Sequence, residues 1–365
     1  MLEEGFLKLN LQALQTDLFS RVGGKDKAVL ARQLATMLGA GLAIDQSFRI
    51  LSSQAQKQTL KKAYLGIVTD LEQGNSLSFS LSKYNKIFDP VFIAIVRSGE
   101  NSGKLDLVLN QLADRLELTE EFNSKIKAAM YYPAFIVITM VVIIFLMMIF
   151  IVPQLKSVFA DMNVELPLAT RMIIAVSNFT VKFWWLDVIV LIAIVAGFSY
   201  FIRTKEGGST WDKFKIHLPI ARELYTMIYM ARFCRTMSML IQAGIPIMET
   251  IAISADVIQN HIYTKSLKDV AAQVERGIPM SVPLQKDKNF PPVVSEMIMV
   301  GEQTGKIGPV LTKLAEYYER ETDTRIKSLS SLVEPVIIVI VGIGVGFLVF
   351  SIIWPIYSLA QANLE

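Results

Sequence analysis

Three long apolar stretches constrain this chain more than any other feature of its sequence. Ala134–Val152 and Val336–Trp354 each run nineteen residues without a charge, and Trp184–Ile202 runs nineteen with one, Asp187. At the rise of an α-helix each covers roughly 28 Å, close to the hydrocarbon thickness of a bilayer. A core helix of a soluble protein is seldom so long and so uniformly apolar, and the position of all three deep in the chain argues against a signal peptide. Aromatic residues mark their ends, Tyr131 and Tyr132, Trp184 and Trp185, Trp354 and Tyr357, where the interfacial belts of a membrane protein fall. The expectation is an all-α protein with three transmembrane helices.

The remainder is polar enough to fold in water. Its 36 Lys and Arg against 33 Asp and Glu leave a net charge of +3, too weak a field to attract a polyanion, so no nucleic-acid partner is expected. A single cysteine, Cys234, excludes an intrachain disulfide framework. His217 and His261 are the two histidines, too few for His-based metal or triad chemistry. Near the expected spans, Arg115, Lys125, Lys127, Arg203, Lys205, Lys213, Lys215, Arg320, Arg325 and Lys327 lie on one side, against Lys156, Arg171 and Lys182 on the other. Ten basic residues against three place both large polar segments in the cytoplasm. The resulting scheme has an N-terminal amphipathic segment (1–24, with Leu7, Leu11, Leu14 and Leu18) and a first cytoplasmic helical bundle (25–133). A first span (134–152), an external loop (153–183) and a second span (184–202) follow. A second cytoplasmic bundle (203–335), a third span (336–354) and an external tail (355–365) complete it.

The two halves are copies. A shift of 203 residues pairs Arg32 with Arg235, Ala40-Gly41 with Ala243-Gly244, Glu72 with Glu275 and Gly74 with Gly277. After one lost residue, a shift of 202 pairs Phe88 with Phe290, Gly99-Glu100 with Gly301-Glu302, Gly103-Lys104 with Gly305-Lys306, and Leu112-Ala113 with Leu314-Ala315. The match continues to Pro133 with Pro335 and Pro153 with Pro355. One indel over so long a match identifies an internal duplication. The repeated unit is a cytoplasmic bundle and the helix that follows it, and Trp184–Ile202 returns the chain so that both copies share one orientation.

Each copy reads as six helices. In the first these are Asp26–Ala40, Leu42–Gln56, Gln58–Gln73, Ser76–Tyr84, Pro90–Ser98 and a helix from Leu105 onward. Asp89-Pro90 is a cap followed by proline at the first helical position, and Gly41, Gly74 and Gly99 read as stops. Apolar spacing such as Leu30, Leu34, Met37 and Leu38 gives one buried face. No breaker interrupts Leu105–Tyr132, so the sixth helix is expected to enter the membrane.

Nucleotide, hydrolase and zincin motifs are absent, and Gly342-x-x-x-Gly346 fits a helix-packing face. Cys234 falls on an amphipathic helix, as a core residue would. Two duplicated features carry more. The first is Gly99, Glu100, Gly103 and Lys104, matched by Gly301, Glu302, Gly305 and Lys306. The spacing suggests that one glycine stops the fifth helix, the carboxylate accepts orphan N–H groups of the sixth, and the second glycine opens it. A contact to a partner or a cation is the alternative role for these glutamates. The second is an acidic stripe on the sixth helix, Asp114, Glu117 and Glu121, matched by Glu316, Glu319 and Asp323. That stripe is a candidate divalent-cation site, against the alternative of ion pairs to Lys125 and Lys327 four residues on.

With R-Q-L-A-T-M-L-x-A-G-L (Arg32–Leu42), E-x-G-x-S-L (Glu72–Leu77), F-D-P (Phe88–Pro90), the paired G-E-x-[ST]-G-K motifs and E-L-P-L-A-T-R (Glu165–Arg171), the chain resembles the type II secretion system F family. The resemblance covers about Leu18 to Tyr357; the first 20 or so residues stand where many members carry a longer segment. It implies a non-enzymatic, cofactor-free platform of the bacterial inner membrane, serving type IV pilus assembly or type II secretion. The implied partners are a cytoplasmic hexameric ATPase, pilins or pseudopilins, other inner-membrane assembly proteins, membrane lipid and further copies of the chain as a homo-oligomer. A membrane transporter or channel component is the alternative, but only Thr139, Asp187, Ser199 and Ser351 place polar groups within the spans.

Overall fold

The computed structural model describes residues 22–154, 168–204, 207–208, 210–211, 219–258 and 260–362. The expected amphipathic helix through Leu7 and Leu18, most of the loop before Leu168, His217 and the last three residues lie outside the described residues. Among the described residues there are helices and no strands. The first half contains α1 (Gly24–Gly39), α2 (Ile44–Gln54), α3 (Gln58–Glu72), α4 (Leu77–Ser82), α5 (Pro90–Ser102) and α6 (Leu105–Leu146). After α7 (Leu168–Arg203), the second half repeats the series: α8 (Pro219–Gln242), α9 (Ile247–Val257), α10 (His261–Val274), α11 (Ser281–Lys286), α12 (Pro292–Thr304) and α13 (Ile307–Ala362).

Local chemistry sets the ends of these helices. Asp89 accepts the Phe92 N–H at 3.0 Å with Pro90 in the first turn of α5, and Asn260 accepts from Ile262 and Tyr263 to open α10. Gly103 and Gly305 hold φ of 65° and 69°, a left-handed conformation that only glycine adopts cheaply. There Lys104 N–H bonds Gly99 C=O at 3.0 Å and Lys306 N–H bonds Gly301 C=O at 2.9 Å, the six-to-one closure of a helix end.

The expected stop at Gly99 is therefore corrected. α5 runs through Gly99 and Glu100 to Ser102. Gly99 is buried, and a β-carbon there would stand 3.2 Å from Leu105 Cα and Val108 Cβ. Its copy Gly301 has still less room, with Ile307 Cα at 2.9 Å. The first glycine of each motif lets the start of the next helix lie against its own, and the second ends the helix.

The chain divides into two compact units, Met1–Ser124 with Ile216–Thr322, and Lys125–Lys215 with Asp323–Glu365. The first unit contains helices of both copies and two apolar cores. Leu34, Phe48, Ile67, Phe88, Phe92 and Leu109 are among the buried residues of one, which also takes in Met239, Leu240, Ile245 and Ile253 from the second copy. Phe233, Cys234, Met237, Tyr263, Phe290 and Leu311 belong to the other, where Phe290 packs edge-on against Phe233 and Tyr263 with ring centres 5.6 and 5.5 Å apart. Duplicated positions fill equivalent places: Phe88 and Phe290, Leu109 and Leu311.

Two helical stretches among the described residues are long and apolar enough to cross a membrane, Leu105–Gln154 and Ile174–Ile202. Their apolar windows are 6 % and 0 % buried, which separates them from core helices. The third apolar stretch lies within α13. α7 starts well before Trp184 and carries non-helical angles at Phe183. Beyond Leu146 the chain makes a π turn, Met147–Ile151. Widening the turn alters the backbone ladder, and the Ser177 hydroxyl donates to Met148 C=O at 2.5 Å.

Candidate functional site

The duplicated Gly-Glu elements are the first place to look. The Glu100 carboxylate does not reach the start of α6, as its position in sequence suggested. It accepts the Leu77 N–H and, at 3.0 Å, the Ser78 N–H, and so caps α4. Glu302 does the same at α11, accepting Met280 N–H at 2.6 Å, Ser281 N–H at 3.3 Å and the Ser281 hydroxyl at 2.5 Å. Leu77 and Met280, and Ser78 and Ser281, are 203 residues apart, whereas the glutamates are 202 apart, which places the lost residue between α4 and α5. Both oxygens of each carboxylate are engaged, each pinning the first turn of a short helix to α5 or α12. Lys104 and Lys306 contribute their backbone N–H groups to the helix ends, with exposed side chains.

The acidic stripe is held by arginine. Arg32 on α1 donates to Asp114 at 2.5 Å, to both oxygens of Glu117 at 3.0 and 2.9 Å, and to Asn110 at 2.6 Å. That guanidinium keeps the Glu117 carboxyl below the usual carboxylate range. In the second copy Arg235 on α8 clasps Glu319 bidentately at 2.8 and 2.5 Å. Lys313 bonds Glu316 at 2.9 Å and Lys327 bonds Asp323 at 2.6 Å, the latter the expected pair four residues apart. Glu121 is exposed on the same stripe. Among the described residues no three His, Cys, Asp or Glu side chains are grouped to hold a metal ion. Sequence reasoning missed the arginine partners, although Arg32 and Arg235 recur at the shift of 203, and Glu117 and Glu319 at the shift of 202, that relate the two copies. The Arg32 side chain is 36 % exposed and that of Arg235 only 7 %.

Contact between the copies explains that difference. The Ser98 hydroxyl on α5 donates to Ala243 C=O at 2.5 Å, Arg97 pairs with Glu249 at 3.4 Å, Arg115 bonds Gln242 at 3.2 Å, and Arg232 bonds Asn123 at 3.4 Å. A cavity of about 240 Å³ lies behind this contact, lined by Thr119, Phe122 and Asn123 of one copy and Arg232, Arg235 and Glu319 of the other. Burial pushes the Arg232 guanidinium down from its ordinary range, and burial together with nearby Arg235 does the same to Arg115. Cys234 belongs to the second core, fully buried, and burial pushes its thiol far above the usual range. His261 opens α10.

The architecture defines a class: an all-helical protein built twice in one chain, with apolar helices long enough to cross a membrane. The chain belongs to the type II secretion system (T2SS) protein F family, whose sequence profile matches it twice, at residues 30–153 and 233–355. The starts of the two matches are 203 residues apart and their ends 202, the same displacements that relate the copies. The chain is 35% identical over 338 residues to the type IV pilus assembly protein PilC of Thermus thermophilus, covering 92% of this chain and 83% of that one. It is 33% identical over 344 residues to the protein of the same name from Myxococcus xanthus, covering 94% and 82%. It is also 31% identical over 340 residues to the type II secretion system protein F of Pseudomonas aeruginosa, covering 93% and 84%.

Proposed function

We propose that the chain is a non-enzymatic platform of the bacterial inner membrane, coupling a cytoplasmic assembly ATPase to the extraction of pilin or pseudopilin subunits. In this reading each copy supplies a six-helix cytoplasmic bundle, three helices span the membrane, and the loop between α6 and α7 and the C-terminal tail lie outside. The observation that carries it is the make-up of α6. Its first turns bury Val108, Leu109, Leu112 and Ala113 in an apolar core. Its later turns expose Phe135, Ile138 and Val142 as a lipid-facing helix would. A helix with one end in a soluble core and the other in lipid is suited to pass a tilt or rotation across the interface. The named relatives serve pilus assembly and type II secretion, and the lack of a nucleotide motif requires that the energy come from a partner.

Deleting the gene is expected to remove surface filaments or secreted proteins while pilin-like subunits accumulate in the membrane, and the intact gene restores them. A deletion strain with normal filaments and normal secretion overturns the reading. Uptake of a labelled solute by the purified chain in liposomes would point instead to a transporter.

A further inference from the structure

The seam between the two copies holds more positive charge than it neutralises. Arg235 is settled, because its Nε and Nη2 grip the two oxygens of Glu319. Arg115 lies among Asp114, Glu316 and Glu319, whose charges offset part of its burial. Arg232 has no such company. It is half-buried on α8 and donates to the Asn123 amide oxygen at 3.4 Å. No carboxylate comes within ion-pair reach of it among the described residues, and only the Tyr229 phenol is set against the effect of burial. A guanidinium carries five N–H donors, so most of the capacity of Arg232 is unspent. A charge withdrawn from water without a counter-charge is costly unless something of opposite sign joins it.

Arg232 lines the cavity of about 240 Å³ between α6 and α8. Thr236 lines it too; it is 8 % exposed, and its hydroxyl has no hydrogen-bond partner among the described residues. Asn123 brings an amide from the first copy, and Glu319 borders the same space with both oxygens already held by Arg235. Phe122, Met239 and Val257 supply apolar wall. The first copy has no equivalent arrangement, since Val29, 46 % exposed, and Gln33 stand 203 residues before Arg232 and Thr236. The unspent donors therefore arise only where the second copy meets the first.

The cavity lies below the range of about 300–1,000 Å³ usual for drug-sized ligands, and at about 30 Å³ per water it takes several waters or one small anion. Guanidinium forks recognise phosphate and carboxylate oxygens through paired N–H donors. A phosphate group offers enough oxygens to satisfy the fork, a hydroxyl and an amide at once. We propose that this cavity binds a small phosphate-bearing anion, held by Arg232, the Thr236 hydroxyl and the Asn123 amide. Bound there, the anion bridges α6 of the first copy and α8 of the second. This rests on the seam alone and stands whether or not the platform reading holds.

Equilibrium dialysis of the full chain in a phosphate-free detergent against labelled inorganic phosphate tests it, with ionic strength held constant by chloride. The expected result is saturable uptake of one phosphate per chain. Arg232→Met keeps most of the bulk and removes the charge, and is expected to weaken uptake at least about tenfold. Thr236→Val, close in size, should weaken it by a smaller factor. Melting followed through labelling of the single buried Cys234 separates a lost ligand from a lost fold. Without phosphate, Arg232→Met should melt no earlier than the parent chain, because it removes an uncompensated charge. Phosphate should raise the melting midpoint of the parent and leave that of Arg232→Met unmoved. If Arg232→Met melts early, Thr236→Val alone decides. Reconstitution in phosphatidylglycerol or in phosphatidylcholine identifies the source of the phosphate group. Uptake blocked in the first lipid alone marks an anionic lipid headgroup as the occupant, and equal uptake in both marks a soluble anion. No saturable uptake by the parent chain, or undiminished uptake by the folded variants, overturns the proposal.

Discussion

A carboxylate that accepts two adjacent backbone N–H groups fixes a short helix and orients it against its neighbour. Glu100 and Glu302 do this for α4 and α11, each too short to hold its first turn by its own ladder. Glu100→Ala is expected to cost about 1–2 kcal/mol of stability, in line with loss of a helix cap. Glu302→Ala should cost more, because the Ser281 hydroxyl is orphaned with the backbone. Denaturant unfolding of each purified variant measures both, and an unchanged midpoint with failed filament assembly would show a partner contact instead. Gly301→Ala should cost about 1–3 kcal/mol as an overpacked contact and exceed Gly99→Ala, since its β-carbon meets the Ile307 backbone at 2.9 Å and cannot push it aside. The paired motif marked these residues in the sequence, but their target was not legible. Glu100 and Ser78 are 22 residues apart, and no local pattern reports a hydrogen bond across a loop. Nor can spacing distinguish a glycine that ends a helix from one that lets two helices touch.

Helices were legible where local chemistry sets them. The Asp89-Pro90 cap and the turn at Gly41 announce themselves because their partners lie within a few residues. The π turn at Met147–Ile151 does not, since its carbonyl is satisfied by Ser177, 29 residues away. No breaker falls between Leu105 and Tyr132 in the sequence, and α6 is continuous from Leu105 to Leu146. If α6 and α13 carry motion, inserting three glycines after Lys127 and after Lys327 should stop filament growth while each apolar core still forms. Each glycine is about 1 kcal/mol worse than alanine within a helix, enough to make a flexible joint without dissolving packing elsewhere. Electron microscopy of cells carrying the variant measures the outcome, and filaments of normal length would leave α6 only a static role.

For the whole molecule, the duplication was plain in the sequence because core and cap residues kept their spacing. The way the copies meet was not, because the contact residues diverged: Ser98 became Val300 and Arg115 became Tyr317. The basic-residue asymmetry gives a prediction at this scale. A reporter active only outside the cytoplasm should be active when fused after Met162 or Glu365 and silent after Ser209, and the reverse pattern would invert the topology. The buried thiol adds a further consequence, a kinetic one. A small alkylating reagent can reach Cys234, fully enclosed in the second core, only during excursions that open that core, so its reaction rate times those openings without any engineered probe. Alkylation should be slowed by orders of magnitude relative to a denatured chain, each decade corresponding to about 1.4 kcal/mol of opening free energy. Carried out on membranes with a working assembly machine and then with a stalled one, the same reaction would read whether mechanical load loosens the second core.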